Sequence, residues 1–313
     1  MMINLAKIAD RGPLVAGGLA ATLLLAALWI PVFLAGGVSG GAMIMVSMLS
    51  MWFLVCSAAV VAFVALRHGI MSATQVVGGC LILLIVLSAV LYESVVQVPL
   101  IATVFWLPAV LAAVVLARSV RLNFAVLTVV ACGVVTVVGM TLVLGDTTEF
   151  WRSQFADTGA VVVGAEQDGL EEQREALIEG IARMMTGAMG VSVMIVALGA
   201  LFLARSWQAG LFNPGGFQKE FHALSLGKNA ALVCVLIIVL SVVQSGQLAG
   251  ALATVVIFAF FIQGLAVSHS LVKQRGMHRY WLYGIYVLLV IPHTMLLLAA
   301  LGLADNIFRI RRA

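Results

Sequence analysis

Nine long, nearly uncharged apolar stretches constrain this chain more than any other feature. They fall at 14–34, 41–66, 72–92, 98–117, 122–144, 181–204, 229–244, 248–268 and 281–303. A membrane-crossing helix needs roughly 20 consecutive, mostly apolar residues to span about 30 Å of hydrocarbon. Inside lipid the backbone must satisfy its own polar groups, which selects helices over loops or open sheets. The pattern therefore predicts an all-α fold, a polytopic transmembrane helical bundle of eight to nine membrane segments. Composition agrees: 63% of residues are hydrophobic and 10% charged, against about 25% charged in soluble domains.

One segment differs in kind. Nine of the thirteen carboxylates lie between Asp146 and Glu179, which marks a short acidic extracytoplasmic insert. The chain thus divides into an N-terminal membrane half with five spans (1–145), the insert (146–180) and a C-terminal membrane half with three to four spans (181–313). The start of the insert, 147–155, mixes aromatic and polar residues as an interfacial helix does. Near its end Leu170, Leu177, Ile178 and Ile181 share one helical face, so that helix is expected to run straight into the sixth span.

Basic residues orient the chain. With the N-terminus cytoplasmic, Arg67, then Arg118 and Arg121, then Arg205, Lys219 and Lys228, then Lys273, Arg275 and Arg279 all fall in inner loops, as the positive-inside rule requires. Lys7 and Arg11 precede the first apolar run. That run exceeds the roughly 7–15 residues of a signal peptide core, and it is read as a retained span. Nine full crossings would leave Arg309, Arg311 and Arg312 outside, so eight crossings plus one re-entrant or interfacial segment fit better. Asp305 and Arg309 are spaced i, i+4 and could pair on one exposed helix face. Such a pair is worth only roughly 0.3–0.5 kcal/mol, so Asp305→Ala is expected to be silent while the tail arginines meet anionic lipid. The localisation implied is a bacterial inner membrane, multi-pass, with the lipid bilayer as the first partner.

Several function classes find no support. Basic residues cluster at span ends with no aromatic-interleaved patch, which argues against nucleic acid. Cys56, Cys80, Cys132 and Cys234 sit inside apolar stretches without a C-x-x-C pair, and the five histidines are scattered. No metal-ligand, nucleophile-elbow or phosphate-loop spacing occurs. The chain is read as a non-enzyme with no metal and no cofactor.

Polar groups within a membrane are costly and often functional. Tyr92, Glu93 and Gln97 at the end of the third span, with Gln263 and His293 further on, are the candidates for binding a small molecule. The loop 205–228 is the most distinctive stretch. Asn213, Pro214 and Gly215 read as a tight turn, proline presetting the first corner and glycine taking positive φ at the second. Around it Trp207, Asn213, Pro214, Phe217, Glu220 and Phe221 are candidates for contact with the headgroup layer or with a cytoplasmic or membrane protein partner. Ala16 with Ala20, and Ala58 with Ala62, have the small-x-x-x-small spacing that lets helix backbones approach.

Trp207…Asn213-Pro-Gly-Gly-Phe217…Glu220-Phe221, together with the closing Gly302-Leu-Ala-Asp305-Asn-Ile-Phe-Arg-Ile-Arg311-Arg312, resembles the proteobacterial branch of the YybS-like predicted membrane proteins. That family is distantly similar to the substrate-binding S components of energy-coupling-factor transporters. The resemblance implies a membrane protein that binds or transports a small solute, as a subunit of a larger transporter, with Ala16-x-x-x-Ala20 as a docking pattern. The alternative reading is a non-transporting scaffold or assembly factor that recruits a partner through 207–222.

Overall fold

The computed structural model describes residues 2–34, 40–91, 96–158, 171–244 and 246–312. These residues form twelve α-helices: α1 (Met2–Ala9), α2 (Pro13–Leu34), α3 (Gly40–Leu91), α4 (Gln97–Ser119), α5 (Leu122–Leu144), α6 (Thr147–Thr158), α7 (Glu171–Phe212), α8 (Gly216–His222), α9 (Lys228–Gln244), α10 (Gln247–Gln274), α11 (Tyr280–Leu288) and α12 (Pro292–Phe308). A 3-10 turn at Ile310–Arg312 closes the chain. Six helices, α2, α3, α4, α5, α7 and α10, are long and apolar enough to cross a membrane, while α9 and α12 are apolar but shorter. The chain divides into two compact units, one of Met1–Val129 with Val193–Ala223, the other of Val130–Ser192 with Leu224–Ala313.

In the first unit α3 is a helical hairpin. Gly69 has φ 85° and ψ 178°, a backbone region that only glycine occupies readily. Ser57 donates to the Ala20 carbonyl at 2.7 Å, and Cys80 donates to the Gly17 carbonyl at 3.2 Å. Residues 57 and 80 would be about 34 Å apart along a straight helix at 1.5 Å per residue. Both reach one turn of α2, so the two arms fold back beside each other. The second and third predicted spans are those arms, joined by one glycine where the sequence predicts a short loop. Ala16, Ala20, Ala58 and Ala62 are wholly buried. The small-residue stripes serve packing within this unit, and Ala16-x-x-x-Ala20 is not free as a docking pattern. Trp106 on α4 is fully buried too, its Nε1 donating to Ser57 Oγ at 3.1 Å.

In the second unit the insert begins with α6. Asp146 accepts from the backbone N–H groups of Thr148 and Glu149 at 2.9 and 3.1 Å, filling the role of an N-cap carboxylate. Gln247, at the start of α10, donates to the same oxygen at 3.1 Å. These bonds hold the Asp146 carboxyl below its usual range, the Glu149 N–H contributing most. Trp151 donates to Thr186 on α7 at 3.1 Å, and Arg152 to Glu175 at 2.9 Å. The helix at the end of the insert does run without a break into the sixth span, as α7.

The last predicted span, 281–303, is not one helix. α11 ends at Leu288, Ile291 is extended at φ −88° and ψ 115°, and Pro292 starts α12. Proline disfavours the α conformation in the residue before it and favours the first turn of a helix, and here the helix breaks at Ile291 although the hydropathy continues. α11, with 9 residues, is too short to cross, while α12, with 17, stands at the short end of the crossing range, as α9 does. α12 packs closely on α10. A Cβ added at Gly264 would collide with the Leu298 carbonyl, and one added at Gly302 with the Phe260 carbonyl and, at 2.7 Å, the Gly264 nitrogen.

Candidate functional site

The loop 205–228 is a folded element. In the first unit α7 runs on to Phe212, well past the predicted end of its span. Gly216 N–H then closes on the Asn213 carbonyl at 3.0 Å, and Gly215 has φ 82° and ψ −5°. Those are the marks of a type II turn with Pro214 at its first corner. The turn sends α8 back along α7. Arg205 clamps it, giving Nε to Glu220 Oε2 at 2.9 Å and Nη2 to Glu220 Oε1, while Nη1 goes to Gln208 at 2.9 Å. Phe202, Phe217 and Phe221 pack together with ring centroids 5.5–6.0 Å apart. Arg67, beside the Gly69 hinge, lies 4.2 Å over the Phe212 ring and pairs with Asp10 at 3.5 Å.

This geometry sorts the six contact candidates. Trp207 is 2% exposed and meets Phe63 edge-on, so it faces its own unit, not a partner or the headgroups. Glu220, Phe217 and Phe221 hold α8 to α7. Asn213 and Pro214 remain exposed at the tip, joined there by Phe212, Gln218 and Lys219.

The second unit holds a buried polar node that the sequence reading had not assembled. Gln263 on α10 has no exposed surface. Its Oε1 accepts from the Leu226 N–H at 2.9 Å and from Asn306 Nδ2 at 3.3 Å. Its Nε2 donates to the Gly302 carbonyl at 2.9 Å and to Asp305 at 3.4 Å. Asn306 accepts from Ser225 Oγ at 2.9 Å and the Gly227 N–H at 3.1 Å, and donates also to Gly302 at 3.3 Å. Each side-chain amide has two donors and two lone pairs, so both are saturated. Gln263 thus ties α10, α12 and the chain ahead of α9, with no capacity left for a ligand.

Asp305 and Arg311 complete the node, and they replace the pairing expected from sequence. Asp305 is 5% exposed and is not partnered by the Arg309 side chain. Arg309 leaves the helix at φ 52°. That left-handed residue turns the chain so that Arg311 returns to Asp305 with Nε at 3.2 and 3.1 Å and Nη2 at 2.6 Å. Arg311 also donates to the Leu224 carbonyl at 2.8 Å. The clue available in the sequence was that Asp305 is the only carboxylate after Glu220.

Tyr92 and Glu93 lie outside the described residues, Gln97 is exposed at the start of α4, and His293 is exposed on α12. No group of three or more His, Cys, Asp or Glu side chains placed to hold a metal occurs among the described residues.

The fold defines a polytopic helical membrane protein. Residues 146–306, just over half of the chain, match the family described as "Predicted membrane protein (DUF2232)". The chain belongs to that family of predicted membrane proteins, in agreement with the YybS-like resemblance. The matched region contains the α7–α8 hairpin and most of the polar node, with Arg311 beyond its end. No curated protein and no solved structure matches the chain.

Proposed function

We propose that this protein is a membrane scaffold that presents the α7–α8 hairpin to a protein partner on the cytoplasmic face of a bacterial inner membrane. The observation that carries the reading is the Arg205–Glu220 clamp. Arg205 is 14% and Glu220 25% exposed at their side chains, and a connector that merely joined two spans would gain little from a half-buried, two-pronged ion pair. A hairpin held in one shape loses less conformational entropy on binding. Its exposed tip, Phe212, Asn213, Pro214, Gln218 and Lys219, combines a half-exposed aromatic ring, one face of which Arg67 covers, with a proline-fixed turn and a cation. Arg205, Lys219 and Lys228 favour the cytoplasmic side for this stretch. The small-molecule reading has less behind it, because the side-chain amide of Gln263 is saturated by partners within its own unit.

The test is photocrosslinking from position 218 in cells, followed by purification of the full-length protein. A discrete protein adduct is expected with the native sequence. It should be lost with Phe212→Ala plus Pro214→Ala, and weakened with Glu220→Ala, which unclamps α8. Adducts to lipid alone, or an adduct indifferent to all three changes, would refute the scaffold. A small molecule that co-purifies stoichiometrically with both the native and the altered hairpin would favour solute binding instead.

A further inference from the structure

The corner between α10 and α11 carries a concentration of basic side chains that no carboxylate pairs with among the described residues. Lys273, Arg275, His278 and Arg279 are all exposed. No carboxylate occurs in residues 221–304, and the ion pairs among the described residues use none of these side chains. The end of α10 offers the equivalent of only about half a negative charge.

The corner is also rigid. Gly276 has φ 61°. Met277 N–H returns to the Val272 carbonyl at 2.9 Å, and Gly276 N–H to the Lys273 carbonyl at 3.3 Å. This is the paired hydrogen bonding of a Schellman motif. Beyond it His278 lies against Tyr280 with ring centroids 4.2 Å apart, and Tyr280 N–H donates to His278 Nδ1 at 3.4 Å. With Nδ1 accepting, a neutral ring carries its proton on Nε2, as a donor.

α11, next in the chain, has no buried residue. Tyr280, Trp281 and Tyr283 are 69%, 62% and 56% exposed. Tyr and Trp favour the level of the headgroups, where one end of the ring is wet and the other apolar. A soluble anion would use the cations and leave this aromatic surface uncovered, whereas a lipid covers both.

We propose that the α10–α11 corner is a binding site for an anionic phospholipid, with Lys273, Arg275, His278 and Arg279 around the headgroup phosphate and the α11 aromatics along the start of the acyl chains. The experiment titrates the purified full-length protein with phosphatidylglycerol, phosphatidylcholine or inorganic phosphate, and counts bound molecules by native mass spectrometry. Phosphatidylglycerol should be retained over phosphatidylcholine, and inorganic phosphate should fail to displace it. A basic residue near an anionic surface contributes about fivefold in affinity, so Lys273→Gln, Arg275→Gln and Arg279→Gln together should weaken retention on the order of 100-fold. The single changes, which remove only exposed charge, should each cost about fivefold. Arg118→Gln with Arg121→Gln, removing two exposed cations elsewhere, should leave retention unchanged. Equal retention of the two lipids, displacement by free phosphate, an unaltered triple variant, or an equal loss in the Arg118/Arg121 control would each overturn the site.

Discussion

Arg311 reaches back around a left-handed turn to grip Asp305 with two of its nitrogens while donating to the Leu224 carbonyl. One guanidinium therefore joins the end of α12 to the approach to α9. Removing one member of a buried ion pair strands the other and costs about 3–5 kcal/mol. Asp305→Ala and Arg311→Ala should each lower the thermal unfolding midpoint of the purified protein substantially. Arg309→Ala, at an exposed side chain, should stay within about 0.5 kcal/mol. An Asp305→Ala protein as stable as the native one would mean that the buried pair does not hold this corner together.

The position of Arg311 also bears on threading. It lies at the Lys228 end of α9, whereas Asp146 and α6 lie against Gln247, just past the other end. α9 has 17 residues, about 25 Å at 1.5 Å per residue. Cysteines placed at 229 and 309, in a background without the four native ones, should react with an impermeant maleimide from the same side of the membrane. A cysteine at 149 should react from the opposite side. Labelling of 309 together with 149 would restore nine full crossings.

Gly69→Ala should damage the first unit. A Cβ there meets no steric obstacle, so the penalty comes from the backbone alone, at about 1–3 kcal/mol for a non-glycine residue in that region. A fall in unfolding midpoint without loss of membrane insertion is the expected result. An unchanged midpoint would show that the hinge tolerates a side chain.

The α6 cap should be sensitive to acid. Because Asp146 has a lowered pKa in the folded protein, its contribution is complete above the unfolded value, about 3.9 for Asp. The contribution is lost as pH falls through the lower folded value. Amide exchange at Thr148 and Glu149 should therefore remain protected at pH 5 and become faster, relative to neighbouring amides, below about pH 4. Asp146→Ala should show the fast exchange already at pH 7. Identical protection profiles in the two proteins would remove the carboxylate from this role.

Much of the membrane architecture was legible because length and lack of charge speak directly to a bilayer. The turn at Asn213-Pro214-Gly215 was legible for a different reason, since proline and glycine restrict their own backbones. What escaped the sequence were features set by partners far along the chain. Trp207 looked like an interfacial aromatic because its composition-level neighbours are Arg205 and Lys219, yet Phe63, 144 positions earlier, takes it inside. Gln263 looked like a ligand group because nothing nearby in sequence could satisfy it, and its partners arrive from 226, 302, 305 and 306. The Asp305–Arg309 pairing failed because i, i+4 spacing presumes a continuing helix, and the helix ends one residue too early.

Replacing Gly264 or Gly302 by alanine would drive a methyl group into the opposing backbone. Core overpacking costs about 1–3 kcal/mol where side chains can yield, and backbone yields less easily, so both variants should be among the least stable single changes in the second unit. Assembly of a variant at native stability would show that the helices can separate freely.

That backbone-to-backbone contact has a mechanical consequence. Two helices with no side chains between them at their crossing have no cushion to slide on, and the amides of Gln263 and Asn306 pin the same joint. α10 and α12 must then travel as one strut in any motion the protein makes. Flexibility in this unit has to be sought on either side of that joint, beginning with the three residues that separate α11 from Pro292.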